Sequence, residues 1–382
     1  MGLGAAQSVQ NAGKSGQISI VSVDGIQAAL QAVKAGTLSG TVSQYPYAEG
    51  QLAVQACMKA VAKQAIPPRV VAPRAMPMIE SGRVAVVGSI NIDHVVRTNR
   101  FPAPGETVLG NEVSVGVGGK GANQAVAAAL SGAQVSMFAR VGCDAEGELA
   151  LRRLAERGVD TSGVLAVPEV ATGTAWITVT SSDNTIVVVP GGNARWDQAP
   201  GADRFAEVLG TAAVTVTQLE VPMDVIERAA ASAGGTFILN AAPARELAQP
   251  VLSNCDVLVV NEHELRVVTG NRSDSVEQAH AALIRRGVGA VVTTLGAAGA
   301  VFTDVHGTET LAAFPAEVVD TTGAGDAFTG ALAARLAVQA SLAEAVRWGT
   351  AAGSLAVRRA GAQESLPDLT DVRFLLEGEA PR

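Results

Sequence analysis

From Arg83 onward, short valine-rich runs alternate with alanine-rich stretches whose apolar residues recur at helical spacing. A strand buried on both faces reads as a continuous apolar run of ~4–8 residues, and parallel strands need a helix to cross back between them. The alternation therefore restricts this part of the chain to an α/β fold, a mostly parallel sheet flanked by helices in Rossmann-type layers. The clearest strands are predicted at Val84–Gly88, Gln134–Val141, Val214–Leu219, Thr236–Leu239, Val257–Val260 and Ala290–Thr294. Two β-rich regions break the rhythm, His94–Val117 and Thr174–Val189, interrupted by Pro102, Pro104 and Asp183-Asn184. They predict a small separate sheet, a β-sheet lid.

Four prolines fall between Pro67 and Pro77, inside a run from Ile66 to Gly82 that has no helical period. It reads as a linker dividing residues 1–65 from residues 83–382. Residues 1–65 are α/β in pattern, with helices near Ala5–Ala12, Gln27–Ala35 and Glu49–Val61 and a strand at Ile18–Val23. That is too short for a doubly wound sheet, so a partial α/β lobe is expected; a piece of this size buries only ~60% of its surface.

Acidic residues outnumber basic ones by 36 to 28, a net charge of −8, which argues against a nucleic-acid partner. No apolar stretch approaches the ~20 residues of a membrane span, and Met1–Ala12 carries no charge to start a signal peptide. A soluble, cytoplasmic protein with no membrane partner is expected. Cys57, Cys143 and Cys255 lie far apart, and His94, His263, His280 and His306 lack the spacing of a helical metal site. These spacings argue against a zinc enzyme, and the cysteines read as small buried hydrophobes.

The string VDTTGAGDAF (Val319–Phe328) ends a strand, turns on small residues and opens an alanine-rich helix. Backbone N–H groups of Gly323, Ala324 and Gly325 at the positive end of that helix would form an anion hole. Asp326, one residue further in, is placed to accept a proton from a hydroxyl attacking a γ-phosphate. An ordinary helix N-terminus with a dipole-favouring acid is the alternative.

A second cluster, GVGGKG (Gly116–Gly121), leads into the helix Ala122–Ala129. It meets the G-x-G-x-x-G spacing, but it begins 28 residues after Gly88 rather than directly following the first strand. Lys120 is followed by Gly121 where a phosphate-binding Walker loop needs serine or threonine. What remains is a close approach of backbone to a polar ligand, with Asn123 just inside the helix, or tight helix-on-sheet packing. Asp93 and Glu220 stand at or just past strand ends, where open α/β sheets place ligands, and could bind vicinal sugar hydroxyls. Either one alone is more often a solvated loop acid.

Several independent strings together resemble the ribokinase-like branch of the PfkB-type carbohydrate kinases. They are GSINIDHVV (Gly88–Val96), PGETV (Pro104–Val108), GGKGANQAVAAA (Gly118–Ala129), QLE (Gln218–Glu220), NAAPAREL (Asn240–Leu247), NEHE (Asn261–Glu264), TLGAAG (Thr294–Gly299) and DTTGAGDAF (Asp320–Phe328). The resemblance covers about three quarters of the chain, Arg83 to roughly Leu376. It implies ATP-dependent phosphorylation of D-ribose at the 5-hydroxyl, with Asp326 as base and Gly323–Gly325 stabilising the phosphoryl group.

By the same resemblance, Asn91, Ile92, Asp93, Gly119, Lys120, Gly121, Ala122, Asn123 and Glu220 hold the pentose. Asn261, Thr294, Leu295, Gly296, Ala297, Ala298, Gly299, Gly325, Asp326 and Thr350 line the ATP site. Glu264 positions Mg2+ through water, and Asp320, Thr322, Ala356, Arg359, Gly361 and Ser365 bind an activating K+, several through backbone carbonyls. A homodimer formed through the lid is implied as well. The first segment resembles the carboxyl-terminal end of a ribose-binding periplasmic protein, with VSVDG (Val21–Gly25) and TVSQYP (Thr41–Pro46) placing Asp24 and Gln44 at that family's sugar contacts. Only part of one lobe is present, so it reads as a fused remnant ahead of a working sensor.

Two other classes of function remain. A non-catalytic sugar sensor has no reason to keep both the Asp326 base and an intact anion hole. A dinucleotide-dependent oxidoreductase needs a strand running directly into GVGGKG, which the sequence is not expected to supply.

Overall fold

The computed structural model describes residues 21–23, 40–42, 80–180, 183–196, 202–270 and 275–377. The helices expected within residues 1–65, together with Asp24, Gln44, Cys57 and linker residues 66–79, lie outside them. The chain divides into two compact units, Met1–Met76 and Pro77–Arg382. In the first, β1 (Val21–Val23) and β2 (Gly40–Val42) pair in parallel.

The second unit opens with β3 (Glu80–Val87), β4 (Asn91–Thr98), β5 (Gly110–Gly118), α1 (Lys120–Leu130), β6 (Gln134–Gly142), α2 (Ala145–Glu156), β7 (Val159–Val167), β8 (Gly173–Val179) and β9 (Asn184–Val189). Four helix–strand steps follow, the last with two helices: α3 (Ala202–Thr211), β10 (Ala212–Gln218), α4 (Met223–Ser232), β11 (Thr236–Asn240), α5 (Gln249–Ser253), β12 (Val257–Asn261), α6 (Glu262–Val268), α7 (Val276–Arg285) and β13 (Ala290–Thr294). The hairpin β14 (Ala300–Asp304) and β15 (Gly307–Leu311) precedes three closing helices, α8 (Ala324–Ala337), α9 (Leu342–Ala356) and α10 (Leu369–Glu377).

The large sheet has nine strands in the order β15-β14-β13-β12-β11-β10-β3-β6-β7. Pairs from β13 to β7 are parallel, and at the other edge the β13–β14 and β14–β15 pairs are antiparallel. β3 shows why its apolar run is unbroken: Val84 and Val86 enter one core with α1, α8 and α9, while Ala85 and Val87 enter the other with α4 and α5. A strand covered on both faces has no polar side to present. α8 is apolar on nearly every face and is buried along its length, which fixes its N-terminus, and Asp326, beside α1.

A smaller sheet has the order β5-β4-β8-β9, with β4 antiparallel to β5, parallel to β8, and β8 antiparallel to β9. Here the structure corrects a sequence expectation, because β5 ends at Gly118 and α1 begins at Lys120, so a strand does run directly into GVGGKG. That strand is an antiparallel partner of β4 in the small sheet and not part of a parallel βαβ unit. Two smaller corrections concern Glu80–Gly82, which are the start of β3 rather than linker, and Cys143, which is exposed while Cys255 is buried. Among the described residues no helix is long and apolar enough to cross a membrane.

Candidate active site

The glycine cluster and the two isolated acids meet over the ends of β3 and β10. A Cβ on Gly121 would lie 2.5 Å from the Ser89 nitrogen and 2.7 Å from the Gly88 carbonyl carbon, so only glycine lets α1 start against the end of β3. The Ala122 amide donates to the Ser89 carbonyl at 2.9 Å, and the Gly121 amide to Ser89 Oγ at 3.2 Å. Glu220 Oε2 accepts from the Lys120 amide at 3.0 Å and from Ser89 Oγ. It is therefore an acid at the N-terminus of α1, stabilised by unpaired amides and the helix dipole, rather than a solvated loop residue.

Asp93 sits in β4 with its carboxylate lying across Gly118, where a Cβ would be 2.1 Å from Oδ2. Burial, then the carboxylates of Glu220 and Glu364, push its pKa from 3.8 up to about 6, with His94 opposing and Asp326 adding. Asn91 is buried and accepts at Oδ1 from Asn193 Nδ2 at 2.8 Å. Asn193 also clamps Ile90, accepting from its amide at 2.9 Å and donating to its carbonyl at 3.0 Å. Ile92 and Ala122 have their side chains in the core, so any ligand contact they make is through backbone.

The Asp93 shift has a consequence for stability. Between pH 3.8 and about 6 the native state keeps a proton that the unfolded chain has released. Stability from this group is thus present below that window and lost as pH rises through it. Asp93→Asn removes the penalty, and thermal melts at pH 7.5 are expected to show it more stable than the wild type by about 1 to 3 kcal/mol, with the difference vanishing near pH 4. An equal or lower melting temperature at pH 7.5 would contradict the shift.

At the second turn, Gly323 caps α8 with φ 77°, a left-handed conformation. Asp320 ties this turn to the segment after α9: Oδ1 accepts from the Thr322 amide at 2.9 Å and its hydroxyl at 2.7 Å, and Oδ2 from the Gly361 amide at 3.0 Å. Burial works against an ionised Asp320, but these donors outweigh it and hold its carboxyl below the usual range. Of the three amides expected to converge, that of Ala324 is already bonded to the Thr321 carbonyl at 3.3 Å. Gly325 faces open space, with no atom within 4 Å of where a Cβ would stand.

Asp326 is buried in the first turn of α8, with Oδ2 accepting from Asn123 Nδ2 at 3.0 Å and Oδ1 from Gln124 Nε2 at 2.9 Å. Burial raises its pKa, while Lys120 and the two amides oppose the rise. Lys120 loses solvation as well, but the carboxylates of Asp326, Glu220 and Glu264 keep its ammonium favoured. One lysine thus answers acids from three separate parts of the chain.

Of the residues expected to hold nucleotide, Asn261 and Thr294–Gly299 stand at the ends of β12 and β13, while Gly325 and Asp326 open α8 and Thr350 lies on α9. Asn261 and Glu264 form a capping box, each side chain bonded to the other's amide at 2.8 Å. Burial raises the Glu264 pKa, opposed by the Asn261 amide and Lys120. After Thr294 the chain makes a 3-10 turn, Gly296–Ala298, closed by the Leu295 amide donating to the Gly299 carbonyl at 2.7 Å. Thr350 is buried, and its hydroxyl donates to Val346 O at 2.8 Å inside its own helix. In the set expected to hold potassium, Ala356 is buried at the end of α9, Arg359 pairs with Asp371 at 3.8 Å, and Ser365 Oγ donates to Ala362 O at 2.8 Å.

Sequence reasoning assigned no role to Ser89, Gln124, Asn193, Gln218 or Asn240. The available signal was chemical: Gln218 and Asn240 end strands rich in apolar residues, where a buried amide is costly unless it is paired.

Residues 81–369 match the model of the pfkB family carbohydrate kinases, and residues 1–65 match a periplasmic binding protein domain. The chain is 36% identical over 301 residues to a ribokinase of Haemophilus influenzae, covering 77% of this chain and 98% of that one. A deoxyribokinase of Salmonella typhi is 35% identical over 294 residues, covering 75% and 96%. Among solved structures, an Arabidopsis thaliana ribokinase complexed with ribose and ATP superposes with a TM-score of 0.73 at 33% identity, covering 78% and 99%. On the family match and these identities, the chain belongs to the pfkB family of carbohydrate kinases.

Proposed function

We propose that the protein transfers the γ-phosphoryl group of ATP to the 5-hydroxyl of D-ribose, giving D-ribose 5-phosphate and ADP. The observation that carries this reading is Asp326, buried at the positive end of α8 between two amide donors and beside the open face of Gly325. The hydroxyl proton passes to the Asp326 carboxylate, the 5-oxygen bonds to the γ-phosphorus, and the bond to the β–γ bridging oxygen breaks with its electron pair on ADP. The turn at Gly323–Gly325 and the helix dipole answer the charge on the transferring group. Asn91, Asp93, the turn Gly119–Asn123 and Glu220 hold the sugar; Asn261, Thr294–Gly299, Gly325 and Thr350 line the nucleotide site.

Among the described residues no cluster of three or more histidines, cysteines or acids could chelate a metal ion. This suits a magnesium ion that arrives on the nucleotide and is reached by Glu264 through water, since Glu264 Oε2 already accepts from the Asn261 amide. A potassium site fits Asp320, kept ionised, with Thr322 and carbonyls of Ala356, Arg359, Gly361 and Ser365. When bound, the two ions supply neutralisation of phosphate charge and ordering of the anion-binding turn. The small sheet is the lid, whose closure excludes water. Its exposed Val113, Val115, Trp176 and Val187 support pairing with the lid of a second copy. The match of residues 1–65 to a binding-protein domain supports a fused sugar-binding-protein-like segment there.

The test is a coupled ADP-release assay with magnesium and potassium, offering ribose, deoxyribose, fructose 6-phosphate and adenosine. Ribose is expected to give the highest kcat/KM. Preference for deoxyribose, the substrate named for one 35% identical relative, would overturn the choice of pentose. Ribose binding without turnover of any substrate would replace the enzyme with a sensor.

A further inference from the structure

Behind Asp326 lies a chain of buried amides that the proposed chemistry does not use directly. Gln124 and Gln218 are 1% and 0% exposed, and Asn240 is buried beside them. Gln218 Nε2 donates to Gln124 Oε1 at 2.7 Å. Gln124 Nε2 donates to Asn240 Oδ1 and to Asp326 Oδ1, both at 2.9 Å. Asn240 Nδ2 donates to the carbonyl of Val259, in β12, at 3.1 Å. Gly88 makes room for the first link, since a Cβ there would stand 2.1 Å from Gln218 Oε1.

The network has only one consistent direction. A backbone carbonyl can only accept, so Val259 draws the NH2 of Asn240 and turns Asn240 Oδ1 toward Gln124. An amide oxygen can only accept, so Gln124 must present its own NH2, and the second hydrogen of that group points at Asp326. Gln218 follows that orientation, donating to Gln124 Oε1 and taking its own direction from it.

We infer that Gln124 is a positioning residue for phosphoryl transfer, passing the fixed polarity of β12 through Asn240 to Oδ1 of Asp326. That oxygen is held, and Oδ2, shared with Asn123, is left to take the substrate proton. The inference rests on Asp326 being the base. The Gln124 donor also works against the burial that raises the Asp326 pKa. The charged groups facing Asp326 are Lys120 from α1, Glu220 after β10, Asp93 from β4 and Glu264 from α6.

The experiment compares Gln124→Met, Gln218→Glu and Asp326→Asn in the full chain by pH-dependent steady-state kinetics with ribose and ATP, alongside thermal melts. Gln124→Met removes the donor at nearly constant volume. Gln218→Glu leaves Gln124 in place but replaces the donor to Gln124 Oε1 with a group that has no hydrogen to give when ionised, so Gln124 keeps its direction, set by Asn240, but loses the bond that braces it against Asp326. Both are expected to lower kcat by about 10- to 100-fold with ribose KM within about threefold, and to move the acid limb of kcat up by about one pH unit. A limb that stays in place in a folded Gln218→Glu protein, whatever happens to kcat, overturns the inference while leaving the base assignment intact. An Asp326→Asn protein that keeps its turnover overturns the base assignment itself.

Discussion

Asp326→Asn is expected to lower kcat for ribose by about 100- to 10,000-fold, the range supplied by a positioned general base. The ribose KM should change little, because the variant keeps the shape of the side chain and one of the two oxygens that accept from Asn123 and Gln124. Stability separates this result from simple damage. A carboxylate pushed toward its neutral form by burial is costly to keep ionised, so an uncharged isostere at that position should melt within a few degrees of the wild type or above it. Loss of turnover with an unchanged melt identifies a chemical role. Retention of kcat within tenfold would move the proton acceptor elsewhere, and Asp93, an acid of the sugar site whose pKa burial also raises, would be the next group to replace.

What the sequence made legible follows from how each element is covered. β3 was readable because Val84, Ala85, Val86 and Val87 are all fully buried in two opposite cores, leaving an unbroken apolar signature. β7 and β15 were missing from the strands singled out because they are the two edges of the large sheet and carry mixed or exposed residues. β5 is mostly exposed, yet nearly all of it falls within the β-rich region His94–Val117 expected to form the small sheet, where it pairs with β4. At the site the same division holds. Asp326 stood out because a glycine turn and a helix start surround it within a few residues. Gln124 did not, since one glutamine in an alanine-rich helix is unremarkable there, and its partners Gln218 and Asn240 lie 94 and 116 residues away. A role made entirely by residues brought together in the fold leaves no local pattern to read.

The largest expected effect on binding comes from Gly121→Ala. The added Cβ would stand 2.5 Å from the nitrogen and 2.7 Å from the oxygen of Ser89, and 2.7 Å from the carbonyl carbon of Gly88. All three are backbone atoms, so no side chain can yield, and the N-terminus of α1 must lift from the end of β3. Lifting it breaks the bonds from the Gly121 and Ala122 amides to Ser89 and from the Lys120 amide to Glu220. A loss of about 2 to 4 kcal/mol in stability is expected from such overpacking. Ribose affinity, read by calorimetry at a temperature where the variant is folded, should fall at least about 100-fold as Glu220, Asn123 and the turn move apart. Gly325→Ala is the counterpart with the opposite sign for the fold. Its Cβ would meet nothing within 4 Å, and alanine favours a helix over glycine by up to about 1 kcal/mol. That protein should melt at or above the wild type while losing turnover, because the methyl occupies the face where the phosphoryl group must approach. If instead both variants bound and turned over ribose normally, neither glycine would mark a ligand. If both melted early, the two turns would be packing devices, with the chemistry left to side chains alone. Only a split, with Gly121 needed for the fold and Gly325 for the reaction, matches one turn that is closed against backbone and one that is open to a substrate.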